Sequence, residues 1–410
     1  MSKTAFLFPG QGSQFVGMGK KLQEQFAMAK CMFEEANDVL GIDLAKLCFE
    51  GSHLELMQTM NTQPAILAVS VIAFEVGRQE LGWEPHLLAG HSLGEYSALV
   101  ASGVVSFQDG LRIVRKRGIL MQSTVSSGLG AMAAVINAPK EQLEQWCRQI
   151  STENKQVVIS CFNSLHQHVI AGHKEAVQHV VDKLEAAPGV IVKYLNVSAP
   201  FHSPLMRPAA DQLAVELEKY ETRAGKWPII SNVTANTYGR EEMSKLLYRQ
   251  MTHPVRWLET MDYLYRNGVS RTVELGPKQV LTQLMNNSYP AIKTYHFDNP
   301  LELEQLHAVF DAEQNSLTSI ITCIQEALTA AVISRSRNQD PGQYMNGVIS
   351  PINHIKKLIE QISSERKTNL SYTMSKIREQ LELILTTKQL SIEEQERIIR
   401  KLPLDKANVV

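Results

Sequence analysis

His86-Leu87-Leu88-Ala89-Gly90-His91-Ser92-Leu93-Gly94-Glu95-Tyr96 is the stretch on which the fold turns. His86 to Ala89 is a short, largely apolar run of strand length. A Gly-x-Ser-x-Gly segment follows at once, and Tyr96, Leu99 and Val100 then recur at helical spacing. Strand, tight turn and helix in succession make an elbow. Gly90 and Gly94 let the chain turn sharply without clashing. Ser92 is left exposed at the strand tip, and the helix N-terminus behind it favours developing negative charge. Ser92 is therefore a candidate nucleophile; the plainer alternative is a Gly-rich turn with a structural serine.

Working outward, Thr4 to Phe8 reads as a buried strand ending in the turn Pro9-Gly10-Gln11-Gly12, and Gln63 to Val76 as an apolar helix. Strand–turn–helix alternation predicts a mostly parallel sheet covered by helices. Residues 131–197 have another rhythm: strands at Ala131 to Asn137, Val157 to Asn163, His168 to Gly172 and Val190 to Val197, with helices at Lys140 to Ile150 and Lys174 to Ala186. That β-α-β-β-α-β order matches a ferredoxin-like arrangement. It predicts a small domain over 126–197, inserted into a larger one over 1–125 and 198–300. The larger one resumes at Ser198, with strands at Pro228 to Asn232 and Arg271 to Leu275. Beyond 300 the pattern is helical. Glu302 to Val332 comes first, then a polar linker near 334–343. Ile352, Ile355, Ile359 and Ile362 follow on one amphipathic face, and Leu370, Met374, Ile377 and Leu381 on another. Ser391 and Glu394 form a capping box.

Composition narrows the function. A chain of 410 residues has room for two or three domains. Its formal net charge of -1 gives no global basic excess for nucleic acid or an anionic membrane. Cys31, Cys48, Cys147, Cys161 and Cys323 are odd in number and form no CxxC pair, which argues against a disulfide framework or a zinc site. The start lacks a signal-peptide pattern, and no apolar run is read as long enough to span a membrane. A cytoplasmic protein with no metal is expected.

A serine nucleophile needs a base. There are 12 histidines; His202, in Pro200-Phe201-His202-Ser203, is chosen because the chain there re-enters the large domain beside the cleft. His91 is the rival, weakened because its side chain should point away from that of its neighbour Ser92. Backbone N–H groups of the turn Gly10-Gln11-Gly12, with that of Leu93, can form an oxyanion hole. Arg117, in Arg115-Lys116-Arg117, reads by itself as part of a solvated basic face.

Taken together these residues resemble the bacterial malonyl-CoA:acyl carrier protein transacylases and the free-standing acyltransferases of polyketide synthesis. The resemblance spans about residues 1–290. It rests on Phe-Pro-Gly-Gln-Gly-Ser-Gln near the start, Gly-His-Ser-Leu-Gly-Glu at 90–95 and Arg-Gly-Ile-Leu-Met-Gln at 117–122. Asn163-Ser164, Pro200-Phe201-His202-Ser203, Ser231-Asn232-Val233-Thr234, Gln250 with Pro254-Val255, and Glu274-Leu275-Gly276-Pro277 complete it. It implies an α/β-hydrolase-like core with a ferredoxin-like insert and a C-terminal helical extension. It implies Ser92 as nucleophile and His202 as base, oriented by the backbone carbonyl of Gln250. Gln11 and Leu93 would supply the oxyanion amides, and Arg117 would pair with a malonyl carboxylate. Met121, Asn163 and Phe201 would line the cleft. The implied substrate is malonyl-CoA and the implied partner an acyl carrier protein bearing phosphopantetheine, with no permanently bound cofactor and a monomer as the default. Two features depart from the pattern. Gly276-Pro277-Lys278-Gln279 stands where fatty-acid members often read Gly-Pro-Gly-Lys, and the segment after about 300 has no counterpart in the usual transacylase. An acyl hydrolase of the same fold is the nearest alternative; an unrelated serine esterase and an inactive carrier-binding scaffold are more distant ones.

Overall fold

The computed structural model describes residues 3–123, 130–185, 187–197, 199–239, 243–364 and 370–403. Ala186, Ser198 and the expected domain boundary at 125–126 lie outside the described residues. The chain divides into two compact units, Lys3–Leu303 and a second from Glu304 onward.

The first unit is mixed α/β with two separate sheets. Strands β1 (Lys3–Phe8), β2 (Leu87–Gly90), β7 (Ile229–Ile230), β8 (Val269–Glu274) and β9 (Lys293–His296) form a parallel sheet in the order β7-β2-β1-β8-β9. β1 and β2 are buried along almost their whole length, as strands covered on both faces must be. Their register pairs Phe8 with Gly90, so both strands end side by side and their following turns meet. This carboxyl-end crevice is where open parallel sheets bind ligands.

Strands β3 (Gly130–Ile136), β4 (Val157–Phe162), β5 (Gln167–His173) and β6 (Ile191–Tyr194) form an antiparallel sheet in the order β4-β5-β3-β6. The helices Lys140–Ile150 and Lys174–Glu185 bury Leu143, Val177, Val180 and Leu184 against Ala133, Val135 and Ile170. At its edge, Phe162 N–H donates to Val255 O (2.9 Å) and Val255 N–H to Ser160 O (2.9 Å), tying β4 to the segment just after Gln250.

In the second unit the helices Pro300–Ile333, Ser350–Ser364 and Leu370–Thr387 share one apolar core. Ile355 and Ile362 are buried there, with Met374, Ile377 and Leu381, while Ile352 and Ile359 pack at its margin. The Ser391–Glu394 capping box is formed. The stretch read as a linker connects helices within this unit and is pinned: Arg337 N–H donates to Lys388 O (2.9 Å) and Asn338 Nδ2 to Thr387 O (3.0 Å).

Three expectations need correction. β9 was not anticipated, because it is four residues long and begins with the polar pair Lys293-Thr294. The strand expected over Pro228 to Asn232 is only Ile229–Ile230, since Ser231 and Asn232 turn away to serve the site. The helical segment Leu301–Ile333 is long and apolar enough, by length and composition, to cross a membrane. Its apolar side chains Leu317, Ile320, Ile324 and Ala327 instead fill the core of the helical unit.

Candidate active site

The elbow is built by backbone packed on backbone. A Cβ on Gly94 would stand 1.9 Å from Phe8 O, one on Gly90 2.0 Å from the Gly94 carbonyl, and one on Gly10 2.5 Å from His91 O. No side chain fits at any of these approaches, so the turn after β1 and the turn after β2 lie directly against each other. Ser92 pays for this with φ 53° and ψ −101°, a strained conformation for a non-glycine residue. His202 is also held at positive φ, 58°.

The two strained residues meet. Ser92 Oγ lies 2.7 Å from His202 Nε2, and His202 Nδ1 lies 2.6 Å from the backbone carbonyl of Gln250. A carbonyl only accepts, so Nδ1 carries the proton and Nε2 is free to take one from the serine. Burial, and then the Arg117 cation, push His202 down to about 3, so the imidazole is neutral at physiological pH. His91 points elsewhere: its Nε2 is 2.8 Å from Asn163 Oδ1, and burial lowers its pKa.

Arg117, on the helix Phe107–Ser123, is 1% exposed, so the solvated-face reading fails. Gly118 beside it lies so close to the helix Thr59–Gln79 that a Cβ would stand 2.7 Å from Met60 Cα. That approach brings Gln63 alongside. Arg117 Nη1 donates to Gln63 Oε1 (2.9 Å), and Nη2 to Gln250 Oε1 (3.0 Å) and Ser92 Oγ (3.3 Å). The Tyr96 ring lies 5.0 Å from the guanidinium carbon. Among the described residues no carboxylate forms an ion pair with Arg117, and its Nε–H has no acceptor. A buried cation held by neutral oxygens beside a nucleophile is a receptor for an anion.

Gln11, Ser92, Arg117, Met121, Asn163, Phe201 and His202 line one cavity of about 280 Å³. Apolar groups from the antiparallel sheet and the helix Val280–Ser288, among them Met132, Val169 and Leu284, complete its wall. Leu93 and Gln250 stand behind it. Leu93 opens the helix Leu93–Ala101, so its N–H has no partner within that helix; that of Gln11 has no protein acceptor among the described residues. Gln11 is fixed by its Nε2 donating to Thr59 Oγ1 (3.1 Å). Lys278, in the segment that departs from the family pattern, donates to Gly12 O (3.0 Å) and holds the same turn.

Four contributors escaped sequence reading: Gln63, Glu95, Asn232 and the Gln250 side chain. Ser92 N–H donates to Asn232 Oδ1 (2.7 Å), whose Nδ2 donates to Gly90 O (2.7 Å). Glu95 accepts from Asn232 N–H (3.1 Å), from Gln250 Nε2 (2.6 Å) and from Tyr238 Oη. Burial pushes this carboxyl up to about 7 against those hydrogen bonds. Glu95 and Asn232 stood within quoted motifs, but no local spacing assigned them a task.

Comparison with known proteins matches this architecture. The acyl transferase domain family matches residues 5–297. A malonyl CoA-acyl carrier protein transacylase of Bacillus subtilis is 43% identical over 401 residues, covering 98% of this chain and 100% of the relative, so it has a counterpart of the segment after 300. An acyl carrier protein S-malonyltransferase structure from Vibrio cholerae is 42% identical, covers 74% of this chain and 100% of its own, and superposes with a TM-score of 0.71. A malonyl-transacylase solved in complex with its type II PKS acyl-carrier protein is 41% identical, with a TM-score of 0.70 over 74% of this chain and 98% of its own. On the strength of a shared fold and of matches over most of its length, the chain belongs to the acyl transferase domain family, among the malonyl CoA-acyl carrier protein transacylases.

Proposed function

We propose that this chain moves malonyl from malonyl-CoA to the phosphopantetheine thiol of an acyl carrier protein, serving fatty acid or polyketide synthesis, through a malonyl ester on Ser92. Ser92 Oγ attacks the thioester carbon and His202 Nε2 takes its proton. The oxyanion is held by the Gln11 and Leu93 N–H groups. As the tetrahedral species collapses, the C–S bond breaks and His202 returns the proton to the coenzyme A sulfur. The carrier thiol then gives its proton to His202, attacks the ester carbonyl, and Ser92 leaves with the proton restored.

The observation that carries this reading is the buried Arg117, without an ion pair among the described residues and 3.3 Å from Ser92 Oγ. A malonyl carboxylate supplies its missing counter-charge. Burial is the main cause of the low His202 value and stays; the carboxylate offsets the second cause, the Arg117 field, so the base strengthens when the right acyl group is bound. A hydrolase of neutral acyl groups has no use for this guanidinium, and the relatives compared are named transferases.

The architecture is proposed as α/β-hydrolase-like over 1–125 and 198–300, with a ferredoxin-like insert over 126–197 and a helical extension over 301–410. The antiparallel order β4-β5-β3-β6 supports the insert. A cytoplasmic setting is proposed, supported by five unpaired cysteines, with a monomer as the default. Replacing Arg117 by Ala tests the activity: malonyl loading falls on the order of 100-fold, about 3 kcal/mol, while acetyl loading changes little. Equal losses for both acyl groups would remove the role given to Arg117.

A further inference from the structure

Gln250 presents two faces to the site, and its amide can serve both in only one orientation. Nε2 donates to Ser92 O (2.9 Å) and to Glu95 Oε2 (2.6 Å), which turns Oε1 toward Arg117 Nη2 (3.0 Å). Ser92 O and the Glu95 carboxylate both accept from Nε2, the shorter bond going to the carboxylate, so both favour the orientation that Arg117 needs. The other carboxylate oxygen is fully used by Asn232 N–H and Tyr238 Oη. Glu95 is fully buried and lies in the first turn of the helix that begins behind Ser92.

We propose that Glu95 is a positioning residue for acyl selectivity: by accepting from Gln250 Nε2 it locks the amide so that an oxygen, and not an NH2, holds Arg117 toward the carboxylate of the incoming acyl group. This rests on Arg117 reading the malonyl carboxylate. Converting Glu95 to Gln places an NH2 in the site. Two donors already occupy Oε1, so the new NH2 takes the Oε2 position and faces Gln250 Nε2. The two opposed NH2 groups push the Gln250 amide from its place, its Oε1 draws away from the guanidinium, and Arg117 loses its seat. The His202 Nδ1 bond is to the Gln250 backbone, so the base is untouched.

The experiment compares Ser92 loading from malonyl-CoA and from acetyl-CoA in wild type, Glu95→Gln, Tyr238→Phe and Arg117→Ala. Glu95→Gln should lower the malonyl-to-acetyl ratio of kcat/KM about 10-fold, with the malonyl loss mainly in KM and any acetyl loss smaller by that factor. Tyr238→Phe, which relieves only Oε1, should leave the ratio intact, and Glu95→Gln should have no further effect on the ratio in an Arg117→Ala background. Should Glu95→Gln fail to fold, Glu95→Asp withdraws the carboxylate from Gln250 while keeping its charge, and must lower the same ratio. An unchanged ratio in Glu95→Gln, or equal losses there for both acyl groups, while Arg117→Ala still loses malonyl loading far more than acetyl loading, overturns the inference alone. Equal malonyl and acetyl losses in Arg117→Ala overturn the underlying reading.

Discussion

Beneath Ser92 the interior is polar and directional, whereas in the helices from Glu304 onward it is apolar and periodic. Around the elbow, Glu95, Asn232, Gln250, Gln63 and Arg117 are buried, and each is placed by named hydrogen bonds. In the helical unit Ile320, Ile324, Ile355, Ile377 and Leu381 are buried by volume alone. The one buried charge among its described residues, Lys388, serves structure: Nζ donates to the carbonyls of Ala331, Val332 and Ser334 (2.8, 2.7 and 2.7 Å), closing the end of the helix Pro300–Ile333. A directional interior fails when one atom changes character. A volumetric one degrades in proportion to the volume lost.

The largest expected effect is on chemistry. His202→Ala should slow Ser92 loading about 1,000-fold for any acyl group, measured by single-turnover kinetics, because among the described residues no other base bonds to Ser92 Oγ. Gly94→Ala should cost about 3 kcal/mol in denaturant unfolding, since its Cβ meets Phe8 O at 1.9 Å and backbone cannot yield there. A tolerated alanine would break the contrast by showing that the elbow also repacks. Lys388→Met should cost about 2 kcal/mol by stranding three carbonyls, yet leave malonyl loading unchanged. Ile377→Val, at a fully buried position of the periodic core, should cost only about 1 kcal/mol.

Acid sharpens the same contrast. With its folded pKa pushed down to about 3, His202 stays neutral where the unfolded chain, at about 6.5, binds a proton. The unfolded state therefore holds more protons on the acid side, and stability falls as pH drops below about 6.5. By about pH 5 the loss is about 2 kcal/mol, present in wild type and absent in His202→Ala, read from unfolding at the two pH values.

The same division governs what the sequence discloses. The isoleucines at 352, 355, 359 and 362 announce a helix because their spacing is itself the structure. The strand–turn–helix around Ser92 is equally local, and so is the strand and helix order from 131 to 197. Glu95 and Gln250 lie 155 positions apart, and Ser92 and Asn232 140 apart, so no window along the chain relates them. Their roles exist only after the sheet has brought those segments to one end. Arg117 marks the boundary: its neighbours Arg115 and Lys116 suggest solvent, and only the close approach at Gly118 buries it.

One strained serine, one neutral histidine and one guanidinium with no ion pair among the described residues form a receptor for a negatively charged acyl group. Intact-protein mass spectrometry after brief exposure to an equimolar mixture of malonyl-CoA and acetyl-CoA, with peptide mapping, tests it most directly. Retention of malonyl on Ser92, and its loss in Ser92→Ala, is the result expected. Retention of acetyl in equal amount, or of any acyl group on another residue, would contradict it.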